Sequence, residues 1–430
     1  MIKDQSNIQK LIAKGKLIEA ESTLKKYILD DPLCALSYSN LAVIYFQKGE
    51  FEESKNLLEK SIELDPNFLA ALNSLGIVYQ RLSCLEKSIL SFKKALEIHP
   101  DFLEALNNLG FSYILIKDYN NARLCFEELL CKSPNDITAL YRLGMTLEAT
   151  KLFDKAIDCF QKVVDLSPKN VNALNSLGHL LNLKGDKSAA LKKFEKGLEI
   201  KPDFFQLLLN LGIVSQEMRL YEKSEKYFLK ALRIRPNDST TYFLYGNFLK
   251  EIKNYDKALE AYKKCLNISP EMSKCINNIG TIYQDKKDFL QAVKYYKLAL
   301  SIDKEHSFSK AGLIYCQMHL NDWSNYKDFL NWLPSLGLKD IPVEPLIFMA
   351  LDNSPQRHLS RASFFYERKY KVKEDSLSIK ISNKKIKIGY FSSNFYDHPV
   401  MILMINIFER YDQECFEIYA YSLTKVIKNK

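Results

Sequence analysis

The sequence has no run approaching ~18 consecutive apolar residues, so no membrane-spanning helix is expected. The opening stretch, MIKDQSNIQKLIAKGK, lacks the apolar core of a secretory signal, and none is expected. Nine cysteines fall at positions 34, 84, 125, 131, 159, 265, 275, 316 and 415, without a CxxC pair or a histidine at ligand spacing. That argues against a zinc site or a redox motif, and no metal site is expected. Cysteines without pattern act as small buried apolar residues with free thiols, which suits a reducing cytoplasm. Blocks of five or six like charges are also missing. The formal charge of +9 arises from 61 basic and 52 acidic side chains spread along the chain. This reads as a solvated surface of mixed sign, so neither nucleic acid nor a membrane is expected as a partner. No Gly-x-Gly-x-x-Gly occurs, and no cofactor is expected for this chain alone.

What the sequence does have is a period. Pro32, Pro66, Pro100, Pro134, Pro168, Pro202, Pro236 and Pro270 are each 34 residues apart, and so are Gly76, Gly110, Gly144, Gly178, Gly212, Gly246 and Gly280. With Gly at position 8 and Pro at position 32, nine units start at 1, 35, 69, 103, 137, 171, 205, 239 and 273 without an insertion. In the unit 69–102, Leu72, Leu75 and Tyr79 form one stripe of a first helix, and Ser88, Phe92 and Ala95 form that of a second. Pro100 ends the second helix, having no N–H to donate and biasing His99 away from helical angles.

A glycine in mid-helix costs ~1 kcal/mol relative to alanine, so seven in phase need an offsetting gain in packing. The expected gain is close approach of the paired helix, whose position 20 is small: Ser88, Ala122, Ala156, Ala190, Ser224, Ala258 and Ala292. Four residues on stand Phe92, Phe126, Phe160, Phe194, Phe228, Tyr262 and Tyr296, expected to fill the gap between successive units as core.

This spacing and residue set resemble the tetratricopeptide repeat family. The resemblance implies an all-α, right-handed superhelical solenoid over residues 1–306, with the first helices lining a concave face. The segment SFSKAGLIYCQMHL is then expected to be a capping helix, opening a helical linker over 307–383. Position 6 of the first helix offers Asn40, Asn108, Asn210 and Asn278, with Ser74 and Ser176 between; Arg142 and Leu244 interrupt the row. In protein O-GlcNAc transferases an asparagine at this position helps hold the acceptor backbone. The resemblance therefore implies these four as contacts to a protein or peptide ligand, the alternative being ordinary solvated helix residues. An amide both donates and accepts, so it can grip a backbone without reading sequence.

Beyond about residue 320 the 34-residue phase is lost. PLIFMALDNSPQRHLSRASFFYERKY reads as two helices parted at the Asp352–Pro355 turn, and resembles the join between repeats and transferase domain in bacterial SPINDLY-type O-GlcNAc transferases. KIKIGYFS then reads as a strand, VMILMINIFERYD as a helix and FEIYAYSL as a second strand, a β-α-β unit over 384–430. Gly389, Tyr390, Ser392, Ser393, Phe395, His398 and Pro399 are similar to the opening of the catalytic domain of protein O-GlcNAc transferases. The resemblance implies UDP-GlcNAc as the family's donor and gives His398 the place of a candidate general base. Asn394 and Ile402 depart from the family pattern there.

Only the first β-α-β unit of the first lobe is expected in this chain, ending at KVIKNK, and such a fragment cannot enclose a nucleotide-sugar. A catalytically incomplete protein-binding scaffold is therefore the expected function. The alternatives are a transferase completed by another polypeptide, and a co-chaperone-like peptide adaptor.

Overall fold

The computed structural model describes residues 8, 11–12, 14–338, 341–344, 348, 351–369, 386–392 and 416–422. The chain divides into two compact bodies, Met1–Phe329 and Leu330–Lys430. In the first body, helix Leu17–Asp30 precedes a run of antiparallel helix pairs. These are Ala35–Lys48 with Phe51–Leu64, Leu69–Arg81 with Leu85–Ile98, Leu103–Leu115 with Tyr119–Lys132, and Ile137–Ala149 with Phe153–Leu166. The run continues with Val171–Leu183 and Lys187–Ile200, Phe205–Glu217 and Tyr221–Ile234, Ser239–Glu251 and Tyr255–Ile268, and Ser273–Asp285 and Phe289–Ile302. Each first helix packs on its own second helix, and each second helix on the next first helix. The apolar core therefore runs along the stack, from Leu72 to Leu180 in one cluster and from Leu208 to Ile282 in another.

The phase glycines sit against aromatic rings. A Cβ added to Gly76 would lie 2.5 Å from the ring of Phe92, and one on Gly144 2.8 Å from that of Phe160. This corrects the expected packing, in which position 20 alone answered the glycine: the position-24 ring presses on the glycine of its own repeat. Position 20 is close as well, since the Ser54 and Ser224 hydroxyls each donate 2.8 Å to the position-8 carbonyls of Ala42 and Gly212. The rings at 92, 126, 160, 194, 228, 262 and 296 are all fully buried, as core positions should be. Tyr296 also abuts Gly312 on the helix that follows, so the between-repeat role of these rings holds there too.

Position 15 closes every first helix with a positive φ. The residues are Gly15, Gly49, Ser83, Lys117, Lys151, Gly185, Arg219, Lys253, Lys287 and Asn321. At Lys117 the chain reverses through Lys117 N–H to Ile114 O and Asp118 N–H to Tyr113 O, both 2.9 Å. That pair of bonds is a Schellman closure, which satisfies carbonyls the helix end leaves open. Asn321 occupies the same phase in a tenth unit counted from 307. Helix Ser307–His319 has the length of a first helix, packs on both helices of repeat 9, and ends in the same turn. The expected capping helix is thus in register with the repeats.

In the second body, helix Pro355–Lys369 follows the Asp352 turn, with proline at its first position where no N–H is needed. Of the helix expected before that turn, residues 345–347 and 349–350 lie outside the described residues. Strands β1 (Ile386–Ser392) and β2 (Phe416–Ser422) pair in parallel, Ile386 opposite Phe416 through Ser392 opposite Ser422. A parallel pair requires a crossover connection, as the expected β-α-β order does. The expected helix between them, and with it His398, lies outside the described residues.

Candidate peptide-binding surface on the first helices

First helices of successive pairs meet directly along the stack, Leu69–Arg81 on Leu103–Leu115 and Phe205–Glu217 on Ser239–Glu251 among them. Residues at positions 5, 6, 9 and 12 lie along this seam. Asn40, Asn108, Asn210 and Asn278 are all half-buried, neither sealed in the core nor fully solvated. The Asn108 amide donates 3.1 Å to Asn73 Oδ1, and the Asn210 amide 2.8 Å to Asn175 Oδ1. In each case position 6 of one repeat is tied to position 5 of the repeat before. Arg142, which interrupts the row, keeps the same connection: its Nη1 donates to Asn107 Oδ1 at 3.0 Å. Its guanidinium lies 4.5 Å from the centre of the Phe111 ring.

The position-5 asparagines are hydrogen-bonding partners that reading position 6 alone missed. Their signal was present as the same 34-residue spacing at Asn73, Asn107, Asn175 and Asn277. Each bond fixes one N–H of a position-6 amide. Because an amide carries two N–H donors and two acceptor lone pairs, donor and acceptor capacity remains for a bound chain.

The composition of the seam changes along the stack. In repeats 2 and 3 Val43, Phe46, Ser74 and Ile77 line a shallow apolar hollow. In repeats 8 and 9 the core aromatic becomes tyrosine, and position 9 becomes Asn247 and Thr281. The Tyr262 hydroxyl donates 2.7 Å to Asn247 Oδ1, which also accepts from Asn278 Nδ2 at 2.7 Å. The Tyr296 hydroxyl donates 2.8 Å to Gln284 Oε1. Core and seam are therefore hydrogen-bonded to each other at this end.

Three charged groups on the seam have shifted acidities. Burial pushes the Glu148 carboxyl up, opposed by His179, whose Nε2 lies 3.8 Å away. Burial pushes the pKa of Arg142 and of Lys250 down, opposed by Asp136 and Asp285 respectively. No cluster of His, Cys, Asp or Glu among the described residues could hold a metal ion. No described helix is long and apolar enough to cross a membrane.

Tetratricopeptide repeat models match residues 35–68, 103–130, 135–203, 203–271 and 273–306. The matches at 35–68 and 273–306 span whole units of the repeat phase, 103–130 begins on one, and 135–203 and 203–271 begin two residues ahead of theirs. The chain is a tetratricopeptide-repeat protein. A separate model, glycosyl transferase family 41, matches residues 354–427. A search of curated proteins found no match.

Among solved structures, YrrB, described as a tetratricopeptide protein with an unusual peptide-binding site, is 24% identical over 43% of this chain and 95% of its own, at TM-score 0.38. MamA from Desulfovibrio magneticus RS-1 is 26% identical over 40% and 96%, also at 0.38. PilF from Pseudomonas aeruginosa is 21% identical over 51% and 97%, at 0.45. At these scores the likeness is one of repeat architecture and decides nothing further.

Proposed function

We propose that this tetratricopeptide array is a protein- or peptide-binding scaffold of the protein O-GlcNAc transferase type, gripping an extended acceptor segment along its first helices through Asn40, Asn108, Asn210 and Asn278. The observation that carries this is the cross-repeat amide bonding, which seats Asn108 and Asn210 with donors and acceptors to spare. An extended backbone offers alternating N–H and C=O groups, and a row of amides matches that pattern whatever the side chains.

Fluorescence anisotropy with labelled Ser/Thr-containing peptides tests this. Asn108→Ala together with Asn210→Ala should weaken binding by about tenfold or more, since each lost bond contributes roughly 0.5–1.5 kcal/mol. Unchanged affinity would remove the asparagines from the contact.

The match of residues 354–427 to glycosyl transferase family 41 favours a second reading, in which the repeats present acceptors for transfer of GlcNAc from UDP-GlcNAc to Ser or Thr. In that reading His398 is the candidate general base. Titration calorimetry of this chain with UDP-GlcNAc separates the two. Micromolar binding supports the transferase reading, whereas no heat supports the catalytically incomplete scaffold.

A further inference from the structure

At one junction of the stack, between repeats 8 and 9, three neighbouring positions all carry sulfur. Position 27 holds Cys265, where other repeats have Ala231 and Ala299. Position 34 holds Met272, where others have Phe102 and Phe204, and position 3 of the next repeat holds Cys275, where others have Ala105 and Ala139. No other junction carries sulfur at more than one of these positions.

The fold brings the three together. Cys265 lies in the last turn of helix Tyr255–Ile268 and Cys275 in the first turn of Ser273–Asp285, and both are fully buried. Cys265 Sγ is 3.5 Å from Met272 Sδ. The Cys275 thiol donates 3.6 Å to the carbonyl of Tyr262, which stands three residues before Cys265 on the facing helix. The two thiols also contact each other, drawing Cys265 below the ordinary thiol range and Cys275 above it. Met272 is half-buried and lines an open hollow with Ser269, Pro270 and the exposed Glu271. The cluster therefore meets solvent through its thioether, with a carboxylate beside the opening.

Packed without a metal, the two thiols serve as small apolar residues, and S–H is too weak a donor for these contacts to require sulfur at all three positions. As ligands the three are selective, because thiolate and thioether sulfur are soft and favour Cu(I). A structural zinc site takes four ligands, and no group of His, Cys, Asp or Glu among the described residues supplies them.

We propose that Cys265, Met272 and Cys275 form a three-sulfur site for Cu(I). Binding replaces two S–H bonds with two copper–thiolate bonds, releases both protons to solvent and takes the thioether as third ligand, with no electron transferred. The bound unit carries one net negative charge, which the N-terminus of Ser273–Asp285 favours. It pins the second helix of repeat 8 to the first helix of repeat 9, and it does not depend on the groove reading.

The test titrates the full chain with Cu(I) under anaerobic conditions with ascorbate, using bicinchoninate as competitor. Wild type should retain one Cu(I) per chain at a competitor concentration that strips the Cys265→Ala/Cys275→Ala variant, which keeps the other seven cysteines. Met272→Phe should weaken that site by about tenfold or more, no less than the loss of an outer partner of a metal ligand. Cu(I) should also raise the melting temperature of wild type and leave that of the double variant unchanged. Alanine or phenylalanine stands at these positions in other repeats, so the fold should tolerate the changes. Should the double variant not fold, Cys275→Ala alone carries the comparison. Equal Cu(I) retention by wild type and variant places the metal on other cysteines and overturns the site, as does a wild type that retains none. Undiminished affinity in Met272→Phe overturns the three-sulfur set. Zn(II) held as tightly as Cu(I) overturns the choice of metal.

Discussion

At the scale of single residues, two kinds of backbone position hold the repeat together, and only one of them was legible. The glycine at position 8 announced itself by recurring in seven units, because no other residue leaves room for the ring opposite. Gly76→Ala should therefore destabilise the array although alanine is the better helix former. Overpacking against Phe92 costs ~1–3 kcal/mol, more than the ~1 kcal/mol gained in propensity. Urea unfolding should show the loss, and the added change Phe92→Leu should restore part of it; a more stable Gly76→Ala variant would contradict the packing described. Position 15 demands glycine's conformation equally, yet lysine, arginine, serine or asparagine stands there in seven of the ten places. Lys117→Gly and Lys151→Gly should each stabilise by roughly 0.5–1 kcal/mol, and Gly185→Ala should destabilise by a similar amount. Thermal melts of the three variants check the signs. Composition hid this position because the Schellman turn tolerates a strained residue when the helices on both sides fix it. The thiols were also only partly legible. Cys125, Cys265, Cys275 and Cys316 are buried and behave as small apolar residues, and burial pushes Cys125 up to about 12; Cys131, however, is exposed.

At the scale of elements, the helix pairs follow from period and punctuation, and the join after them does not. Helix Pro355–Lys369 carries PQRHLSRASFFYERK, whose basic residues read as a solvated face. Yet Arg361 is fully buried. Its Nη1 donates 2.6 Å to Asp352, its Nε donates 3.0 Å to the Leu336 carbonyl, and its Nη2 donates to the Leu333 carbonyl. The guanidinium also lies 4.8 Å from the Phe348 ring centre. No periodicity in a single helix signals such a residue, since its partners come from other segments. Arg361→Met should cost about 3–5 kcal/mol, because it strips one partner from a buried carboxylate and leaves two carbonyls unpaired. Hydrogen exchange of the 355–369 amides would show it as lost protection. Asp352 is held well below the ordinary carboxylate range by Arg357 first and also by Arg361, against the opposing effect of burial. A depressed carboxyl stabilises the fold at pH values above its unfolded value near 4, and that contribution disappears as pH falls through the folded value. Protection of this helix should accordingly decline on acidification below about pH 4, and a protection that does not change with acid would contradict the pairing.

At the scale of the whole molecule, the repeats and the second body carry different kinds of information. The solenoid was readable because each repeat restates the same packing problem, so the phase of Pro and Gly exposes the answer many times over. The candidate surface was half readable: position 6 stood out through its asparagines, while their position-5 partners mattered only once adjacent first helices were placed side by side. The change at repeats 8 and 9 was visible as Tyr262 and Tyr296 replacing phenylalanine, but its meaning needed the bonds from these hydroxyls to Asn247 and Gln284. The central claim is that a bound segment lies along the first helices. The most direct measurement is side-chain amide NMR of the uniformly labelled protein titrated with a Ser/Thr-containing peptide. The account predicts saturating shifts at the Asn40, Asn108, Asn210 and Asn278 amides. Shifts confined to second-helix residues, with these four amides unmoved, would contradict it.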